Sequence, residues 1–294
     1  MISAHGITHI GGSSNTENQD KFFIGPNTFG VFDGHGLRGG QMAAVARDVF
    51  AAAGDCDLTE TFAAAEEATK GAAISLTAMR GGGTTAAVLS VAADGACRVA
   101  HVGDSEVRYF DEDTGDGVSL TTDHSPSSME EFLRVLDTPF PADYEFASYP
   151  GRRNARPMYV EQDDNSWTLN PAGGNFYRNI RKEWASYLVA GMERLSVSRA
   201  LGDFTMKARG VIATPSILSA PAPVGTRAIV LASDGLWDCL QYDEVRAIVR
   251  RPDLIRNAAA AAAALMEAGL AAGQRIYGPS CDNITVVVVY VSVA

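Results

Sequence analysis

Short apolar runs punctuated by turn residues begin early in the chain. Lys21-Phe22-Phe23-Ile24 and Thr28-Phe29-Gly30-Val31-Phe32 flank Gly25-Pro26-Asn27, which predicts a β-hairpin whose second strand ends at Asp33. Ala-rich stretches with apolar residues three and four apart predict helices over Gln41–Ala53 and Leu58–Met79. Three β-rich runs follow, Thr85–Val91, Cys97–Val102 and Val107–Phe110, separated by Asp94-Gly95 and by Gly103-Asp104-Ser105. They predict an antiparallel meander with a carboxylate in one connection. From Ser125 to about Tyr187 the periodicity breaks down among Pro, Gly, Asn and charged residues, which predicts a long surface excursion.

Regular patterning returns at Arg227–Ala232, a buried-strand pattern that runs into Ser233-Asp234-Gly235. Helical spacing covers Asp243–Val249 and Asn257–Ala272, and Ile284–Val291 is almost purely β-branched, as a central strand requires. Without strict alternation of strand and helix, sheets packed against outer helices are favoured over a doubly wound parallel fold.

Composition sharpens this picture. A chain of 294 residues with 46% hydrophobic content buries a large core without staples. Its 24 basic and 35 acidic residues leave a net charge of −11, which repels nucleic acid and argues against a nuclease. Cys56, Cys97, Cys239 and Cys281 are far apart in sequence and form no Cys-x-x-Cys pair, which reads as reduced intracellular thiols. No membrane-length apolar run is present, and Met1–His5 lacks a basic leader. The expectation is a soluble monomer of the cytoplasm or nucleus, with no membrane partner.

The recurring chemical feature is an acid at a strand boundary beside Gly, Ser or Asn: Asp20, Asp33, Asp104, Asp234 and Asp282. One such Asp is ordinarily a turn residue. Several at apolar strand ends suit a hard cation such as Mg²⁺ or Mn²⁺, which takes a few rigid oxygen ligands and keeps its waters. His35, two residues past Asp33, is a candidate proton donor because its ordinary pKa lies near neutrality.

These residues sit in segments that resemble the type 2C metal-dependent protein serine/threonine phosphatases. The pieces are Glu17-Asn18-Gln19-Asp20, Val31-Phe32-Asp33-Gly34-His35-Gly36, Gly83-Thr84-Thr85-Ala86, His101-Val102-Gly103-Asp104-Ser105, Asp123-His124-Ser125-Pro126, Leu195 to Asp203, Ala232 to Asp238, and Asp282-Asn283. The resemblance implies an α+β fold, a four-layer α-β-β-α sandwich of two antiparallel sheets flanked by helices. It also implies one catalytic domain over residues 1–294 with a flap insertion over 125–190. Two Mg²⁺ or Mn²⁺ ions per chain are expected, with Asp33 bridging, Gly34 lending its carbonyl, and Asp234 and Asp282 completing the ligands. Asp20 matches an acid that holds metal-bound water. Asp104, Asp234 and Asp238 match a weaker third site, and Asp203 and Arg199 are expected to be structural. In such a site, a water shared by the two ions attacks phosphorus while His35 protonates the departing serine or threonine oxygen.

The family usually carries an Arg that grips the substrate phosphate five residues before the position of Asp20. Here that residue is Asn15, and Gln19 stands where Glu is common. The substrate-binding candidates are therefore Asn15 and Arg38, the latter with a solvated loop arginine as the plain alternative. Arg152, Arg153 and Arg156 of the excursion are candidates for contacting acidic or phosphorylated partners, against a solvated charged loop. Loss of the Arg leaves a second reading open, a pseudophosphatase that serves as a binding module. A third is a hydrolase of small phosphorylated metabolites.

Overall fold

Alternate residues of the same buried strands face different neighbours, and this decides the architecture. The computed structural model describes residues 1–54, 56–75, 82–111, 117–148, 152–155, 158–171, 176–223 and 225–292. In the strand Thr226–Ala232, Ile229 and Leu231 join one hydrophobic cluster while Ala228, Val230 and Ala232 join another. Ile284–Ser292 divides in the same way: Val287, Val289 and Val291 face the second sheet, and Ile284, Val286, Val288 and Tyr290 face the helix Ala258–Tyr277. In the second sheet, Phe29, Val31, Ala87 and Leu89 point at the first. Phe32, Ala86, Val88 and Val102 point at Ala43, Ala46, Phe50 and Phe62 of the helices Gly39–Ala53 and Leu58–Ser75. The result is the four-layer α-β-β-α sandwich that the resemblance implies.

Each sheet has five antiparallel strands. One runs in the order Ile2–His9, Ile284–Ser292, Thr226–Ala232, Glu106–Phe110, Val118–Ser119; the other runs Ser216–Ala220, Cys97–Val102, Ala86–Val91, Thr28–Phe32, Lys21–Ile24. Each fully buried Val, Leu, Ile or Phe contributes roughly 1.5–3 kcal/mol by leaving water. Slipping a strand by one residue would exchange its two apolar faces, so packing fixes the register. The outer helix approaches closely. A Cβ on Gly273 would stand 2.3 Å from Cys281 Sγ, which seats the loop before Asp282 directly on that helix.

Several expectations need correcting. The run after Gly103-Asp104-Ser105 does not complete a meander: Glu106–Phe110 crosses to the other sheet and pairs with Thr226–Ala232. Gly103, at φ 90°, provides the turn that lets the chain change sheets. Of the helix expected over Leu58–Met79, Leu58–Ser75 is present and the part past Ser75 lies outside the described residues. A paired N-terminal strand, Ile2–His9, went unread because its positions are only half-buried.

The region from Ser125 to Tyr187 is not a structureless excursion. It carries the helix Met129–Leu136 and a sheet ordered Arg152–Ala155, Asp143–Ser148, Ser186–Ala190, Glu193–Leu195. A separate hairpin pairs Tyr159–Glu161 with Trp167–Leu169. Phe132, Val135, Tyr144, Phe146, Met158 and Leu188 give the region its own apolar cluster. Arg156 lies outside the described residues, and only the backbone of Arg152 and Arg153 is described.

Candidate metal centre at the sheet ends

Strand register brings the acids together. Lys21 pairs with Phe32, Ala86 with Val102, and Ala232 with both Glu106 and Val286. Asp20, Asp33, Asp104, Asp234 and Asp282 each lie within two residues of one of these pairs or just beyond the strand it starts, so all five fall at one end of the sandwich. A cleft of about 210 Å³ opens there, lined by Asp33, Gly34, His35, Asp104, Asp234 and Asp282.

Backbone and hydroxyl contacts fix each side chain. Thr85 Oγ1 lies 3.1 Å from the Asp33 amide, and Thr85 N and Thr84 Oγ1 donate to the Asp33 carbonyl at 2.9 and 3.0 Å. Ser233 Oγ donates to Asp20 Oδ2 at 2.8 Å, while Asp20 Oδ1 is buried with no partner. Asn283 holds Asp282 by its own amide at 2.7 Å and accepts from Gln19 N at 2.8 Å. A Cβ on Gly34 would lie 2.4 Å from the Gly39 carbonyl and 2.7 Å from the Gln19 carbonyl oxygen, so only glycine fits this turn.

The electrostatics are those of a site awaiting a cation. Burial, and then the charges of Asp20, Asp234, Asp282 and Asp104, push the Asp33 carboxyl well above its ordinary range. Burial, followed by Asp104, Asp238 and Asp282, does the same to Asp234. Burial raises Asp20 to about 6. An orphaned carboxylate oxygen on Asp20 and carboxylates that repel one another fit divalent cations bound by hard oxygen donors. Among the described residues, no three Asp, Glu, His or Cys side chains close around a single point.

The family profile described as Protein phosphatase 2C matches residues 26–139 and 169–275. The chain belongs to the protein phosphatase 2C family. It is 32% identical over 272 residues to the probable protein phosphatase 2C 11 of Arabidopsis thaliana, a match covering 89% of this chain and 57% of that protein. To the probable protein phosphatase 2C 61 of the same plant it is 30% identical over 57% of this chain and 43% of that one. The chain thus spans about half the length of these curated relatives. Its fold is similar to the serine-threonine phosphatase 2C of Toxoplasma gondii, with a TM-score of 0.66 at 22% identity over 98% and 94% of the two chains. It is also similar to the catalytic domain of the serine threonine protein phosphatase PstP in complex with 2 manganese ions, with a TM-score of 0.60 at 19% identity over 98% and 97%.

This 2C-family chain departs from the sequence expectations at several positions. Asn15 is not free to meet a phosphate, because its amide donates to the carbonyls of Ile10 at 2.7 Å and Cys281 at 2.9 Å. It clasps two loops instead. Arg38 is exposed at the start of the helix Gly39–Ala53, two residues past Gly36 of the cleft lining. Asp203, expected to be structural, lies with Oδ2 2.6 Å from His35 Nε2. Its backbone is left-handed at φ 49°, a strained conformation that aims its carboxylate at His35. Burial disfavours the charged imidazole, but the charge and hydrogen bond of Asp203 outweigh it and hold the His35 pKa above its ordinary value. The signal for this pairing was the Gly202-Asp203 step inside the motif ending at Asp203. Finally, Asp104 and Asp238 both face Arg178, at 2.8 and 3.4 Å.

Proposed function

We propose that the chain is a divalent-cation-dependent phosphatase that removes phosphate from phosphoserine and phosphothreonine on other proteins. The observation that carries this reading is the convergence of Asp20, Asp33, Asp234 and Asp282 at the sheet ends, with no Lys or Arg ion-paired to them among the described residues. Asp33, the Gly34 carbonyl, Asp234 and Asp282 would hold two Mg²⁺ or Mn²⁺ ions; the PstP complex is named with two manganese ions. Bound there, the ions would supply an activated water and neutralise charge on the phosphoryl oxygens.

The chain's own residues do the rest. Asp20, tied to Ser233 and with its second oxygen unpartnered, would orient a water beside Asp33. His35 is 27% exposed and donates a proton to the leaving alkoxide from Nδ1, since Nε2 is engaged by Asp203. Asp203 stabilises the imidazolium and fixes the ring's orientation. Arg38, exposed two residues past Gly36 of the cleft lining, would offer the phosphate a charge that Asn15 does not.

The test is hydrolysis of p-nitrophenyl phosphate and a phosphothreonine peptide with Mn²⁺, with Mg²⁺ and with EDTA, in this chain and in Asp234→Asn. Metal-dependent turnover lost in the variant is expected. A folded protein with no turnover would favour the binding-module reading. Turnover of the small ester without the peptide would favour a metabolite hydrolase.

A further inference from the structure

The third cation position is the place where this chain's residues do not fit a bound ion. Asp104 and Asp238, expected to take that ion, are held by a guanidinium. Arg178 Nη1 is 2.8 Å from Asp104 Oδ2, its Nη2 is 3.3 Å from both Asp123 Oδ2 and Glu183 Oε2, and its Nε is 3.4 Å from Asp238 Oδ1. A divalent ion and a guanidinium cannot both lie between Asp104 and Asp238 at these distances.

The segment that carries Arg178 is anchored on both sides of it. The Tyr177↔Trp184 bridge closes a small hairpin, with Arg178 N donating to Glu183 O at 2.8 Å. Tyr277 Oη, on the outer helix, donates to Arg178 O at 2.6 Å. Asn179 Nδ2 donates to Asp238 Oδ1 at 2.8 Å. Arg181 Nη1 reaches the Trp237 and Leu240 carbonyls, the latter at 3.1 Å, and its guanidinium stacks 4.7 Å over Tyr242. The flap region is thereby pinned to the loop that carries Asp234 and Asp238.

We infer that Arg178 is a built-in cation that takes the third metal position and docks the flap on the catalytic face, leaving the chain with binding sites for two exogenous ions only. A guanidinium keeps its proton at every physiological pH, and its planar fork meets two carboxylates at once. A tethered charge is also present at constant local concentration, whereas a weakly held ion comes and goes with supply. The positive charge at this edge of the cleft is thus independent of metal availability. The inference rests on reading the channel as a divalent-cation site.

The experiment counts Mn²⁺ bound per chain by equilibrium dialysis at rising Mn²⁺, in the wild type, Arg178→Ala, and Arg178→Ala combined with Asp104→Asn. One additional Mn²⁺ in Arg178→Ala relative to the wild type, abolished by adding Asp104→Asn, is the expected result. A purely structural arginine would not alter the count in this direction. Arg178→Lys, which keeps the charge without the fork, is expected to stay at the wild-type count, and Arg178→Gln serves if the alanine variant fails to fold. Equal counts in wild type and Arg178→Ala would overturn the inference, as would a wild-type count that falls with Asp104→Asn alone. The difference between the two proteins carries the result. Failure of the catalytic reading shows separately, as a wild-type count that does not change in Asp33→Asn.

Discussion

The acids at the sheet ends and those of the flap region are held in opposite ways. In the flap region the buried Glu131 meets Arg134 and Arg199 at 2.6 Å, the buried Glu145 meets Arg194 at 2.9 Å, and the partly exposed Glu183 meets Arg181 and Arg178 at 3.2 and 3.3 Å. At the sheet ends Asp20, Asp33, Asp234 and Asp282 face one another, and among the described residues no arginine or lysine is ion-paired to them. A buried pair offsets part of its desolvation cost, and removing one partner leaves the other uncompensated. Unpaired charges cost stability and persist where something from outside completes them.

The sharpest way to break this contrast is Asp33→Asn. Activity is expected to fall about 10²–10³-fold, the scale of removing one electrostatic contact to the transition state. Melting in EDTA should nevertheless shift upward, because one of the repelling charges is gone. A lower melting temperature would mean that Asp33 is structural after all.

Glu131→Gln should do the reverse. It leaves Arg134 and Arg199 unpaired in the interior and is expected to cost about 3 kcal/mol, read by urea unfolding. Burial disfavours the Glu131 carboxylate, but hydrogen bonds from Arg199, Arg134 and Ser198 outweigh it and hold its pKa at about 2 instead of 4.5. The unfolded chain therefore binds more protons in that interval. The stabilisation is complete above pH 4.5 and is lost as pH falls toward 2. His124 acts earlier and in the same direction. Burial, then stacked His101 at 4.5 Å and Arg199, depress its pKa from 6.5 to about 2, so stability begins to fall below pH 6.5. A flat stability profile from pH 7 to 5 would remove this account of His124.

Asp203→Asn tests the border between the two regions. A loss in kcat of roughly 10²-fold is expected with a phosphothreonine peptide, the lower end of what a positioned proton donor contributes. The loss should be much smaller with p-nitrophenyl phosphate, whose leaving group needs no proton. Equal losses would show that Asp203 does not act through His35. Asn15→Ala should cost about 1 kcal/mol by removing two hydrogen bonds, since the Ile10 and Cys281 carbonyls keep their second donors, Asn283 Nδ2 and Gly12 N, with little change in KM. Smallest of all, Arg38→Ala is expected to raise KM for the peptide roughly threefold, the scale of an exposed ionic contact. An unchanged KM would return Arg38 to the role of a solvated loop arginine.

Much of the sandwich was legible because its strands are long and apolar on both faces. Ile284–Ser292 and Thr226–Ala232 announce themselves by composition, and the acids beside them follow from the boundaries. Strand partners were harder to read. Nothing local tells Val107 that it pairs across the sandwich with Leu231 and not with its neighbour in sequence. The flap sheet was missed because its strands are short and polar on one face. Tyr144 and Phe146 alternate correctly, but six residues between prolines carry a weak signal. Arg178 belongs to no motif. Its role comes from a hairpin that brings it to acids 74 and 60 positions away in sequence, Asp104 and Asp238.

The placement of Ile284–Ser292 has a consequence for how the molecule comes into being. This strand lies in the interior of its sheet, zipped to Ile2–His9 on one side and Thr226–Ala232 on the other. During synthesis, the first strand and the Thr226 strand must wait with open hydrogen-bonding edges until residues beyond 282 leave the ribosome. Such long-range closure is slow. Because Asp282 sits at the head of the same strand, a truncated or stalled chain lacks both the sheet's middle and the last acid of the channel.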